Sequence, residues 1–261
     1  MASTVRFELE DHVATITYDR PDALNAVNGA LRRDLNDAFA RFRDDEDAWV
    51  AILTGTGDRA FCAGADLIDL IPEAGERARA GALTEFNFGG NTRDFQTWKP
   101  CIAAINGFAL AGGLEIALAC DFRIAVPRAR FGVPEVRWAI IPGGGGTQRL
   151  PRLLGVARAM DLILTGRQME AEEALRVGLI NRIVEPEELL PAARELAGQL
   201  LQNGPLALRA AKQAVIEGWD RPLAEGLKLE LELFGRLLLT EDAVEGPKAF
   251  AEKRAPGYMA R

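Results

Sequence analysis

The chain has 261 residues, 48% hydrophobic and 26% charged, a balance that suits a packed globular protein and excludes disorder. Asp and Glu number 38 against 31 Lys and Arg, so the formal charge is −7 and there is no general attraction for nucleic-acid phosphate. The single histidine is too few for a multi-histidine metal site, which leaves carboxylates and backbone N–H groups as the chemistry to look for.

In chain order, the opening residues lack the apolar core of a signal peptide, and a cytoplasmic location is expected. Residues 5–9 and 13–18 alternate apolar and polar and predict a β-hairpin, with His12 as a solvated turn residue between them. A turn-rich stretch, RPDALNAVN, precedes an amphipathic helix over about 28–43, marked by Leu31, Leu35, Ala38, Phe39 and Phe42. WVAILTG and CIAAI read as strands buried on both faces, as in a parallel sheet. Residues 101–120 are apolar enough to imitate a membrane span, but Asn106, Glu115 and three glycines favour a buried strand–loop–helix. FRIAV and a short segment at Phe131 add strand, and the alternation with helices predicts an α/β core. Beyond Thr147 the pattern turns helical, with Val156, Ala159, Met160 and Ile163 on one helix and Leu189, Ala193, Leu196 and Leu200 on another. Leu223, Leu227, Leu231, Phe234 and Leu238 mark a third. The expected division is a core over 1–190 and a helical region over 191–261. Cys62, Cys101 and Cys120 form no CxxC pair and read as reduced core residues.

Three segments carry chemistry. In AFCAGADL (60–67), small residues around Gly64 let a ligand approach the backbone, although a tight strand-to-helix turn explains them equally well. In AAINGFALAGGLEIALACD (103–121), tandem Gly112 and Gly113 open a helix whose exposed amides could stabilise an oxyanion. Glu115, in the first turn of that helix, is either functional or a carboxylate paired with the helix dipole. In FGVPEV (131–136), Pro134 keeps Glu135 out of a helix interior, at a strand end or loop. Val133, Val136 and Trp138 would desolvate it, raise its pKa and suit it to proton transfer; a solvated loop glutamate is the alternative. The four-glycine run that follows lacks the Lys-Ser/Thr of a P-loop and is not a nucleotide-phosphate loop.

Together these motifs resemble the crotonase (enoyl-CoA hydratase/isomerase) superfamily over nearly the whole chain. RPDALNA, AFCAGADL, INGFALAGGLEIALACD, FGVPEV, IPGGGGTQRLPR, LTGR, VGLINRIV and EKRAP stand in the family's order. The resemblance implies a spiral ββα core with a helical C-terminal region that assembles trimers, usually paired into hexamers. It implies an acyl-CoA thioester as substrate, with CoA arriving as part of that substrate, and no separate cofactor, metal, nucleic acid or membrane. By motif position, the amides of Ala65 and Gly112 would form the oxyanion hole. Ala63, Gly64, Asp66 and Leu67 would line the acyl-CoA path, and Phe250 and Lys253 would help hold CoA. Glu115 and Glu135 match the carboxylate pair of family hydratases, which implies syn addition of water to a 2-trans-enoyl-CoA.

The chain departs from that pattern at Ala111, where many hydratases carry a third glycine, and in the segment 72–97 that shapes the acyl pocket. The nearest rival activity is a 3,2-enoyl-CoA isomerase or another crotonase-type enzyme. A rival of a different class is an acyl-CoA binder without turnover. Retention of both glutamates favours the hydratase.

Overall fold

The alternation in residues 5–18 produces a hairpin in which β1 (Val5–Glu10) and β2 (Val13–Tyr18) pair antiparallel, Val5 opposite Tyr18. Only β1 alternates in burial; β2 is buried throughout, because β3 (Val50–Gly55) joins it in parallel on the other side. His12 lies at the turn, in left-handed backbone (φ 66°), with its ring stacked on Trp49 at 4.1 Å. The computed structural model describes residues 3–83, 87–93 and 95–261. Parts of the segment 72–97, around 84–86 and 94, lie outside the described residues.

From β3 onward each pass of the chain adds one strand to each of two sheets. β3 is followed by β4 (Ala60–Cys62), β5 (Cys101–Ile105) by β6 (Phe108–Leu110), and β7 (Phe122–Ala125) by β8 (Arg130–Gly132). The first sheet, closed by β10 (Arg182–Ile183), has the order β1-β2-β3-β5-β7-β10, parallel after the hairpin. The second, closed by an antiparallel β9 (Met169–Glu170), has the order β4-β6-β8-β9. Helices α2 (Leu70–Arg79) and α3 (Gly112–Leu118) close the first two strand pairs, and a 3₁₀ turn over Pro134–Trp138 with α4 (Gly146–Leu154) and α5 (Val156–Thr165) follows the third. This repeated β–β–α advance is the spiral core that the motifs imply.

Before the spiral, α1 (Gly29–Asp44) starts where Asn28 accepts the Leu31 amide at 2.9 Å, a side-chain cap. It buries Leu31, Leu35, Ala38, Phe39 and Phe42, the stripe its spacing predicts. Residues 101–120 form β5, β6 and α3, all nearly buried, and among the described residues no helix is long and apolar enough to cross a membrane. The three cysteines are buried and form no disulfide.

The chain divides into two compact units: residues 1–96 with 101–194, and residues 97–100 with 195–261. The first holds the spiral and α6 (Ala171–Arg176); α7 (Leu189–Leu201) runs across the division. The second holds α8 (Pro205–Gly218), α9 (Leu223–Leu237) and α10 (Glu241–Ala251). Pro205 sits at the first position of α8, where its missing N–H costs nothing, so the NGP triplet separates α7 from α8.

Candidate active site

Two backbone segments meet at the ends of β4 and β6. After β4, Val27 forms a parallel bridge with Ala65: the Val27 amide donates to the Gly64 carbonyl (2.8 Å), and the Asp66 amide donates to the Val27 carbonyl (2.9 Å). In a parallel bridge the bonds run to the residues on either side, so the Ala65 N–H points away from Val27. Gly64 lies at φ +98°, and a Cβ on it would sit 2.6 Å from Ala111 Cβ and 3.2 Å from Gly112 N. The Ala65 segment therefore presses against the start of α3. Gly113 is needed there because a Cβ would meet the Cys62 carbonyl oxygen at 2.0 Å. Gly112, in the first turn of α3, has no partner one turn earlier for its amide, and the Phe88 ring occupies the place of its missing Cβ.

The N-terminal motif braces this loop. Buried Asn25 donates through Nδ2 to the Thr56 (3.0 Å) and Ala60 (2.8 Å) carbonyls and accepts the Arg20 amide. The Ala63 amide donates to the Leu24 carbonyl, and Arg20 pairs with Asp66 at 3.3 Å. Asn106, at the β5–β6 step, donates to the Gly55 and Gly57 carbonyls and ties down the approach to β4.

Glu115 and Glu135 are both buried, at 2% and 7% exposure, but in unlike surroundings. Glu115 Oε1 accepts the amides of Gly144 (2.8 Å) and Gly146 (2.7 Å). Burial pushes its carboxyl upward; those two amides and the charges of Arg149 and Arg93 oppose the rise. Glu135 sits in the 3₁₀ turn directly after β8, with Pro134 at the first position, and its Oε2 is buried with no hydrogen-bond partner among the described residues. Burial, reinforced by the Glu115 charge, pushes its carboxyl up to about 7. Where two carboxylates interact, the proton goes to the one with fewer donors, here Glu135.

The four-glycine run cradles Glu115. A Cβ on Gly144 would lie 2.7 Å from Glu115 Oε2, and one on Gly146 would lie 3.0 Å from Oε1. Two amides aimed at one anion, the second at the N-terminus of α4, are the arrangement that binds phosphate in other folds; here the anion is the protein's own carboxylate.

Residues 8–261 match the family model for enoyl-CoA hydratase/isomerase. An (E)-benzylidenesuccinyl-CoA hydratase of Thauera aromatica is 44% identical, covering 97% of this chain and 98% of its own. A crotonyl-CoA hydratase of Syntrophomonas wolfei is 43% identical, with 97% of each chain covered. The crystal structure of an enoyl-CoA hydratase from Bacillus anthracis superposes with a TM-score of 0.90 at 40% identity, over 99% of this chain and 100% of that one. The chain belongs to the enoyl-CoA hydratase/isomerase family, within the crotonase superfamily.

Within that family fold, Ala63, Gly64, Ala65, Asp66, Gly112, Glu115 and Glu135 all belong to the spiral unit. Leu67 follows them on the surface, 43% exposed, and Asp66 is already engaged by Arg20. Phe250 and Lys253 lie on the second unit, at the end of α10; both are exposed. No local motif in the sequence marks Gly144, Gly146, Arg93 and Arg149 as partners of Glu115. The glycine run is the one signal of them, although it lacks the Lys-Ser/Thr of a phosphate loop.

Proposed function

We propose that this family member hydrates a 2-trans-enoyl-CoA to the 3-hydroxyacyl-CoA. The observation that carries the reading is the unequal pair: Glu115 accepting two backbone amides on one oxygen, Glu135 buried beside it with one oxygen unpartnered among the described residues and its carboxyl pushed up to about 7. Such a pair offers one base and one acid at neutral pH, which water addition requires and double-bond migration does not.

In this reading water lies between the two carboxyls. Its oxygen bonds to C3, and its released proton goes to Glu115 as the C2–C3 π pair moves toward the thioester. The Ala65 and Gly112 amides receive the negative charge on the thioester oxygen, each such donor being worth ~3 kcal/mol in the transition state. Glu135 then delivers its proton to C2 from the same face, so H and OH add syn. Glu115 ends protonated and Glu135 ionised, and one proton transfer between them or through solvent resets the pair. No cofactor besides the CoA of the substrate takes part. Phe250, Lys253 and Ala63 to Leu67 are assigned to the CoA and acyl moieties on motif position.

The test is loss of enoyl-thioester absorbance with crotonyl-CoA and longer 2-enoyl-CoAs. Wild type should hydrate at least one of them, with kcat/KM falling as pH rises through about 7 and Glu135 loses its proton. Glu135→Gln should lower kcat by at least about a thousandfold while CoA ligands still bind. Near-normal turnover in that variant would remove Glu135 from the chemistry, and faster migration of a 3-enoyl double bond than hydration would make the protein an isomerase.

A further inference from the structure

The three peptides of the glycine run are each anchored differently. The Gly143–Gly144 peptide gives its N–H to Glu115 and receives Arg93 Nη2 on its carbonyl at 2.7 Å. The Gly145–Gly146 peptide also gives its N–H to Glu115, and its carbonyl accepts the amides of Gln148 (3.0 Å) and Arg149 (2.8 Å) at the start of α4. Between them, the Gly144–Gly145 carbonyl is held by a side chain, Arg149 Nη1, at 3.0 Å. The same guanidinium gives Nη2 to the Thr92 carbonyl at 3.0 Å, so one planar fork ties the run to a separate segment.

Gly145 makes room for this fork. It lies at φ +108°, and a Cβ on it would fall 1.9 Å from Arg149 Nη1. Glycine peptides rotate at little cost, so nothing intrinsic to the run keeps its first and third amides converged on one oxygen. The charge acts in the same sense as the geometry. Among the described residues, the ionisable groups facing Glu115 are Glu135, which favours its protonation, and Arg149 and Arg93, which favour its ionised form; Arg149 in turn faces Cys120 and Arg93.

We propose that Arg149 is a positioning residue for the hydration site: its fork between the Gly144 and Thr92 carbonyls fixes the glycine run, and so holds Glu115 as the charged member of the pair. Arg149 touches no reacting atom. This inference rests on the hydratase reading, and its test separates the two.

Hydration of crotonyl-CoA would be followed from about pH 5 to pH 9 in wild type, Arg149→Gln and Arg149→Lys. Losing the fork should lower kcat by at least about tenfold in Arg149→Gln, with KM changed less than about threefold. The acid limb of kcat/KM, where Glu115 takes up a proton, should move up by about one pH unit. Arg149→Lys keeps the charge but not the fork, so its limb should stay near wild type while kcat remains several-fold low. A wild-type rate and limb in Arg149→Gln would overturn the proposal. So would a loss uniform across pH with the limb unmoved, the mark of a merely smaller folded fraction. Should Arg149→Gln not fold, Arg149→Lys decides by its kcat per folded molecule, the folded fraction being read from circular dichroism, and a wild-type value overturns the proposal. If wild type hydrates no enoyl-CoA, the hydratase reading has failed and Arg149 is judged on Glu115 directly. Its carboxyl band, assigned in infrared difference spectra with Glu115→Gln, should then titrate about one pH unit higher in Arg149→Gln and near wild type in Arg149→Lys, and an unshifted band in Arg149→Gln sinks the inference.

Discussion

Glu135 makes the folded protein hold a proton that the unfolded chain releases. An unfolded glutamate titrates near pH 4.3, whereas burial and the Glu115 charge bring Glu135 to about 7 in the native state. The sign follows: stability from this group is fully present below the unfolded pKa and is lost as pH rises through the folded one. Across that window the loss is about 4 kcal/mol. Glu135→Gln keeps the shape without the ionisation, so it should be more stable than wild type at pH 8 by up to about 4 kcal/mol and about equal near pH 4.5. Denaturant unfolding at the two pH values measures this, and equal stabilities at pH 8 would mean that Glu135 is solvated after all. Both glutamates were legible as candidates because each stands in a local motif. The environment of Glu135 was legible only in part: Trp138, expected to cover it, is 60% exposed, while its charged neighbour Glu115 comes from another element. Arg149 was not legible, because its partners Gly144 and Thr92 are joined only by the fold.

At the scale of one element, the start of α3 sets two conformational demands in opposite directions. Ala111 holds φ 51° and ψ −130°, backbone that a Cβ opposes, while its amide donates to the Gly132 carbonyl at 2.8 Å. Two residues later, Gly113 rests on the Cys62 carbonyl with no space for a side chain. Ala111→Gly should therefore stabilise the protein by about 1 kcal/mol, relief of strain exceeding the entropy that glycine adds to the unfolded chain. Gly113→Ala should destabilise it by about 3 kcal/mol by pushing α3 off β4. Thermal unfolding of the two variants should move the midpoint in opposite directions, and a shift of the same sign in both would show that the start of α3 is looser than this geometry. The tandem glycines announced a helix start in the sequence. Their separate reasons did not show there, since Phe88 meets Gly112 and Cys62 meets Gly113 only after two distant strands have paired.

At the scale of the whole molecule, one helical pattern that is plain in the sequence stays exposed on α9. Leu223, Leu227, Leu231, Phe234 and Leu238 recur at helical spacing along α9, and each is more than half exposed; Leu229 and Leu233, on the opposite face, are buried. At 100° per residue the five exposed side chains fall within about 80° of arc, one continuous apolar stripe. On α5, Val156, Met160 and Leu164 repeat the situation. Periodicity reports that a face is apolar, and it cannot say whether the cover is the same chain or another. Monomers in water rarely leave such stripes open. We therefore propose that copies of this chain cover the α9 face, in the trimers or paired trimers that the family resemblance implies. Leu227→Glu with Leu231→Glu would place two charges in that contact, where desolvation without a partner costs several kcal/mol. Sedimentation should find wild type at three or six copies and the double variant at fewer, with the far-ultraviolet circular dichroism of the helices retained. A wild-type monomer, or a variant assembled like wild type, would mean that the α9 stripe has some other cover.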